Sequence, residues 1–166
     1  MIIISDTSPI TSLAAIGKLN LLHLLYGSIT IPLAVYNELT QHQKNKFIPG
    51  AKEVKNFTWI KTQSVRDIQK VTEILNSQSN IHRGEAEAII LALELNADIL
   101  LMDERRGRVL AISYKLKVTG LLGVLLQAKN QGAITAVKPI IDRLIKDAEF
   151  RINSHLYQTF LQLAGG

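Results

Sequence analysis

Asp6, Glu38, Glu85 and Asp103 have the residue type and the placement to share one chemical task. Each stands where an apolar run ends or near the start of a helical pattern. The stretch Gly84 to Arg108, GEAEAIILALELNADILLMDERRGR, sets the frame. Gly84 to Asn96 reads as a helix and Asp98 to Met102 as a strand. In a layered α/β protein such a helix runs antiparallel to the strand that follows it. The helix climbs about 19 Å and the strand returns about 17 Å, which brings Glu85 and Asp103 to one level. That level is the sheet edge where open α/β proteins keep their sites.

The other acids are ranked by what surrounds them. Asp6 directly follows the apolar run Met1 to Ser5. Glu38 lies about 9 Å along the helix that opens at Pro32, with Ala34 and Val35 as its neighbours one turn back. Glu85 shares a helical stripe with Ala88, Ile89, Ala92 and Leu95, the natural core face. Glu87 is about 160° around the same helix, on a stripe with Leu91 and Glu94, and takes a supporting position. Acids at helix starts also complement the helix dipole. That reading accounts for Glu85, Glu87, Asp103 and an N-capping Asp6, but not for Glu38, inside its helix.

Carboxylates gathered at one edge repel unless a cation sits among them. The chain has no cysteine, so any metal is held by oxygen or histidine, and oxygen ligands such as these carboxylates suit Mg²⁺ or Mn²⁺. Such ions acidify water, orient a phosphate and stabilise a leaving oxygen. Thr7 and Ser8 have hydroxyls placed either to hydrogen-bond that water or a phosphate, or to cap the first helix.

The elements that must position these residues follow from the pattern. Strands are expected at Met1–Ser5, Ser28–Ile31, Trp59–Thr62, Asp98–Met102 and Val118–Thr119. Between them lie helices at Ile10–Ile16, Leu19–Tyr26, from Pro32 as the first helical residue, Ala51–Asn56, Val65–Leu75, Gly84–Asn96 and Glu104–Lys115. Leu121–Asn130, Thr135–Lys146 and Ser154–Leu163 complete the chain. Continuous apolar strands alternating with helices predict a three-layer α/β/α fold on a parallel sheet of four to five strands. One domain over 1–166 is expected, with the helices from about 135 packed on it. The leucine-rich stretches Ile16–Leu25 and Leu121–Leu126 are expected to be mostly core, with an excess apolar face on the early helices.

The 166 residues are 47% hydrophobic and 20% charged, ordinary globular usage with no room for a long disordered tail. No apolar run is long enough to span a membrane, and the first residues lack the pattern of a signal peptide. The lack of cysteine fits a reducing cytoplasm. The net charge of +5 points toward a polyanionic partner. The aromatics, Phe47, Phe57, Trp59 and Phe150 among them, are too scattered along the chain for a base-stacking platform.

The succession IIISDTSPI, VYNEL and GEAEAIILALELNADILLMD, ending in DERRGR, resembles PIN-domain proteins from Met1 to about Lys138. They include nucleases and the toxin halves of bacterial toxin–antitoxin pairs. The resemblance implies that Asp6, Glu38, Glu85 and Asp103 form a catalytic quartet binding Mg²⁺ or Mn²⁺ in a PIN-like domain that hydrolyses RNA. It also implies an antitoxin protein as partner and a homodimer. The chain departs from the wider family in having Glu85 where many have Asp, and in its basic run. On this reading Arg105, Arg106 and Arg108 either clamp RNA phosphates beside Asp103 or form a solvated helix face. His82 and Arg83 are further candidates for substrate contact, and Lys44 and Lys46 for a substrate loop. The competing expectation is a PIN-like module without catalysis, binding nucleic acid or a protein partner.

Overall fold

The apolar run at the start of the chain becomes the central strand of the sheet. The computed structural model describes residues 1–41 and 46–165, so Lys44 lies outside it. Strands β1 (Ile3–Ser5), β2 (Ile29–Pro32), β3 (Ile60–Gln63), β4 (Ile99–Leu101) and β5 (Val118–Thr119) pair in parallel in the order β3-β2-β1-β4-β5. The chain builds outward from β1 to β3, then crosses back to lay β4 on the other side of β1. The gap between β1 and β4 is therefore the topological switch point, where doubly wound sheets open a crevice at the strands' carboxyl ends.

Ten helices among the described residues cover the sheet: α1 (Thr7–Ala15), α2 (Asn20–Tyr26), α3 (Leu33–Thr40), α4 (Ala51–Asn56), α5 (Ile68–Ser77), α6 (Arg83–Glu94), α7 (Arg105–Ser113), α8 (Leu121–Asn130), α9 (Lys138–Asp147) and α10 (Ser154–Ala164). Alternate strand residues face opposite layers. Ile3, Ile29, Ile31, Ile60, Ile99 and Leu101 join one core, with side chains of α1, α2, α8 and α9. Ile4, Leu100 and Met102 join the other, with α5, α6 and Ala111 of α7. Both faces are dry, which is why the strands read as unbroken apolar runs. The fold is the expected α/β/α sandwich.

Three local expectations are corrected. Pro32 is the last residue of β2 and the N-cap of α3, with extended backbone, because its pairing with Gln63 continues the strand. Helix α9 begins at Lys138 rather than Thr135, since Pro139 belongs in a first turn and fixes the start just before it. Helix α6 stops at Glu94, and Asn96 turns to a positive φ of 50°, a conformation Asn tolerates. Beyond these, His23 of α2 stacks on Trp59 and Trp59 on Phe57, one continuous stack across two segments distant in sequence, with centroid separations of 5.0 and 5.6 Å. Because it precedes β2 and β3, it lies at the end of the sheet opposite the acids.

The excess apolar face expected on the early helices is largely buried. Ile16, Leu19, Leu21, Leu22, Leu121, Val124 and Leu125 all enter the core, leaving Leu24 exposed. Exposed apolar side chains instead occur at Val109 and Ile112 on α7 and at Leu156 on α10.

Glu94 shows how the layers are tied. Its two carboxylate oxygens accept from the amides of Arg66 and Asp67, each at 2.9 Å, holding the entry to α5 against the end of α6. Replacing it strands two backbone donors. Glu94→Ala is expected to lower the unfolding free energy by about 1–3 kcal/mol. In urea titration this appears as a lower midpoint with an unchanged slope.

Candidate functional site

Asp6 is carried directly off the end of β1, and its amide continues the ladder by donating to the Leu101 carbonyl at 2.9 Å. The backbone therefore fixes the side chain at the switch point. It is only 2% exposed, and its Oδ1 has no hydrogen-bond partner among the described residues. The buried Ser8 Oγ is likewise unpartnered. Polar atoms left in this state are rare in folded proteins and call for an explanation.

Glu38 approaches from α3. Its backbone lies on an exposed part of that helix, but its Oε2 accepts from the Thr7 hydroxyl at 2.7 Å. Gly84 locates the pair: a Cβ on that residue would stand 2.9 Å from Glu38 Oε2 and 3.7 Å from Asp6 Oδ1. The two carboxylates thus flank one point at the first turn of α6.

Glu85, the next residue, is 2% exposed. Its Oε1 accepts from the His82 amide at 3.2 Å and lies 3.0 Å from His82 Nε2. Its Oε2 faces α7, 2.8 Å from where a Cβ on Gly107 would stand. The capping role expected of an acid at a helix start is present. It engages Oε1, while Oε2 stays turned toward the neighbouring helix.

Asp103 is held apart from these three. Its Oδ1 accepts from the Leu121 amide at 2.8 Å, so it completes the N-terminus of α8. Gly120 leaves room for that contact and for the Arg108 guanidinium on the same side. Glu104, absent from the sequence-based candidates, stands at the N-cap position of α7 without a side-chain cap bond and adds a charge felt by both Glu85 and Asp103. The signal was available: the residue after a strand-end acid, opening the next helix, shares the same edge.

The charges report the same grouping. Burial pushes the Asp6 carboxyl up to about 7; the Thr7 backbone draws it down, Glu85 and Glu38 raise it, and His82 counters them. Glu85 is raised, chiefly by burial, with His82 opposing and Glu104 and Glu38 adding to the shift. Asp103 is also raised by burial, and the Leu121 amide and Arg108 pull against it. Asp6, Glu38 and Glu85 therefore act on one another, whereas Asp103 answers mainly to α8 and Arg108, with Glu104 acting on both Glu85 and Asp103.

The remaining candidates sort by groove. Arg105, Arg108 and Ser8 line a groove of about 950 Å³ with Asp103 and Glu104, joined by Arg151 from the segment between α9 and α10. Arg106 faces a different groove with Gln78 and Asn80, which Arg105 also borders, so the basic run straddles α7. His82 and Arg83 border a third groove, beside Glu38. Glu87 is not in the acid set: it accepts from the Ala34 amide at 3.0 Å and from Arg83 Nε at 2.9 Å. Lys46 is exposed.

No three acids or histidines among the described residues converge tightly enough, as the side chains stand, to coordinate one ion. Asp6, Glu38 and Glu85 nonetheless fit a divalent cation. They are oxygen donors, one of them buried with an orphan atom and driven toward protonation chiefly by that burial, with Glu85 and Glu38 adding to it. A cation among them would offset the repulsion that Glu85 and Glu38 exert on Asp6.

A stability signature follows. Asp6 titrates near its ordinary value when unfolded and at about 7 when folded, so the folded state binds the extra proton between those values. The penalty is absent below about pH 4, grows as pH rises, and is complete above about pH 7. Chelator-treated protein is expected to lose stability in urea as pH rises through that window. Asp6→Asn should flatten this slope, and Mn²⁺ should restore stability more at pH 8 than at pH 6, because protons compete with it.

A family model described as a PIN domain matches residues 2–166. No curated protein and no solved structure matches the chain. PIN domains are generally nucleases and usually use divalent metals. With the strand order and the acids at its switch point established independently, that match over nearly its full length places the chain in the PIN-domain family, a nuclease-type fold.

Proposed function

We propose that this chain is a metal-dependent endoribonuclease that hydrolyses RNA phosphodiesters with Mg²⁺ or Mn²⁺. Its proposed setting is the cytoplasm, as the homodimeric toxin of a toxin–antitoxin pair. The observation that carries the catalytic reading is Asp6: a carboxylate buried at the switch point, with an unpartnered oxygen and two further carboxylates acting on it. Family likeness supports the toxin role, the homodimer and the antitoxin.

On this reading Asp6, Glu38 and Glu85 would hold the cation, with Asp103 at the rim. A divalent ion there supplies the positive charge that acidifies water and neutralises phosphate oxygens during hydrolysis. The chain's own residues prepare that site. The Thr7 hydroxyl fixes Glu38 Oε2, and the His82 amide fixes Glu85 Oε1. Burial at Asp6 excludes the water that would otherwise screen its charge. The Ser8 hydroxyl, buried and free, is a donor available to a substrate oxygen. Arg105 and Arg108 present phosphate-binding guanidinium groups along the groove beside Asp103. The same groove carries Val109, Ile112 and Leu156, and its mix of basic and apolar groups suits an acidic, amphipathic antitoxin segment that would cover the site.

One observation favours a second reading, a PIN-like module that binds without cutting. Asp103 is already engaged by the Leu121 amide and faced by Arg108.

The two readings separate in one assay. Cleavage of structured RNA with Mn²⁺ is expected for the wild type, with a loss of at least about 100-fold in Asp6→Asn and Glu85→Gln. A wild type that binds RNA and cuts nothing, or variants that cut as fast, would sink the catalytic reading. Arg108→Ala is expected to weaken RNA binding and to reduce the slope of log affinity against log salt by about 1, measured by anisotropy in chelator.

A further inference from the structure

Helix α3 enters without a cap of its own. It is preceded by Pro32, whose side chain has no acceptor, so its first-turn amides look elsewhere for partners. Ala34 finds one across the layer, donating at 3.0 Å to Oε1 of Glu87 on α6. Glu87 is itself 6% exposed, and its Oε2 is met by Arg83 Nε at 2.9 Å, so both its oxygens are engaged. One turn earlier on α6, Gly84 packs so closely on α3 that an added Cβ would lie 3.6 Å from Val35 and 2.9 Å from Glu38 Oε2. Two points thus pin α3 against α6: an anchoring hydrogen bond at Ala34 and a glycine contact at Val35 and Glu38. Glu38 follows Ala34 by one helical turn, on the same face.

We propose that Glu87 is a positioning residue: by capping α3 from α6 it sets where Glu38 stands relative to Asp6 and Glu85. The inference rests on the metal-holding role proposed for Glu38. Glu87 neither joins the acid set nor touches substrate. It acts through the backbone of α3, in the way that groups behind a ligand fix its orientation. The sequence motif GEAEAI then has two acids with separate tasks, Glu85 in the notch and Glu87 behind it.

The test compares Glu87→Leu, which removes the acceptor while filling much of the space, with Glu87→Gln, which keeps an oxygen for the Ala34 amide. Glu94→Leu is the control, since it strips two amide partners from α5, away from the notch. Mn²⁺ affinity is read by calorimetry on folded protein, and protection of the Ala34 amide by hydrogen exchange. Glu87→Leu is expected to bind Mn²⁺ roughly 10–100-fold more weakly and to expose the Ala34 amide. Glu87→Gln should stay within about threefold of wild type with that amide protected, a rescue by shape and acceptor alone. Glu94→Leu should lose stability without losing Mn²⁺. Equal Mn²⁺ affinity in Glu87→Leu and Glu94→Leu overturns the inference. So does a tenfold loss in Glu87→Gln, which decides the matter even if the leucine variant does not fold. Failure of the wild type to bind Mn²⁺ overturns the metal reading of the notch, and this inference with it.

Discussion

The carboxylate of Asp6 sits where a charge is least tolerated, at the end of the central strand and out of contact with water. Ionising an isolated group there is expensive, and every nearby feature of the fold bears on that cost. The backbone leaves no freedom to withdraw, because the Asp6 amide belongs to the ladder with β4. Helices α3 and α6 then bring two more acids toward it instead of amides to satisfy it. A fold that only needed a stable core would place Asn or an apolar residue at this position. Retaining a poorly satisfied carboxylate among other carboxylates makes physical sense if a cation completes the group.

Three glycines make the crowding geometrically feasible. A Cβ at Gly84 would meet Glu38, one at Gly107 would meet Glu85, and one at Gly120 would meet Asp103, each within 3 Å of a carboxylate oxygen. Gly84 and Gly107 lie within helices, where alanine is the better helix former, and Gly120 is the N-cap of α8. Their value here is the missing side chain, which lets α6, α7 and the entry to α8 close on the acids. The sequence displays these glycines beside the acidic motifs, yet spacing alone does not tell a close approach from a turn. Only the tertiary contacts do.

Much of the architecture was legible because it depends on periodicity and length. Apolar strands buried on both faces identified the parallel sheet, and helix and strand lengths placed Glu85 and Asp103 at one edge. What periodicity leaves open has a shared cause. The helical wheel ranks Glu85 ahead of a supporting Glu87 but cannot say what Glu87 supports, because α6 is buried on all sides from Gly84 to Ala92, under the sheet, α3 and α5. A helix without a solvent face gives the wheel nothing to point away from. In the same way, a run of arginines reads as one patch in sequence, whereas successive residues of α7 fan out around the axis into different grooves. The stack of His23, Trp59 and Phe57 joins the end of α2 to the entry of β3, and no local pattern announces it.

The four acids that the resemblance groups together are not physically equivalent. Asp103 rests on the N-terminus of α8, whose amide and dipole stabilise an anion without any added ion, and Arg108 supplies further positive potential. Burial still outweighs that support, so Asp103 too is held toward its protonated form, but with an amide and a guanidinium already on it. Asp6 has no comparable support: Thr7 and His82 ease its charge, but burial and two neighbouring carboxylates outweigh them. Glu85 has its amide and imidazole on one oxygen only. The unmet demand for positive charge is therefore greatest at Asp6, whose Oδ1 has no donor among the described residues, and is lessened at Asp103 by the Leu121 amide and Arg108. The gradient of unmet charge runs from Asp103 inward to the end of β1.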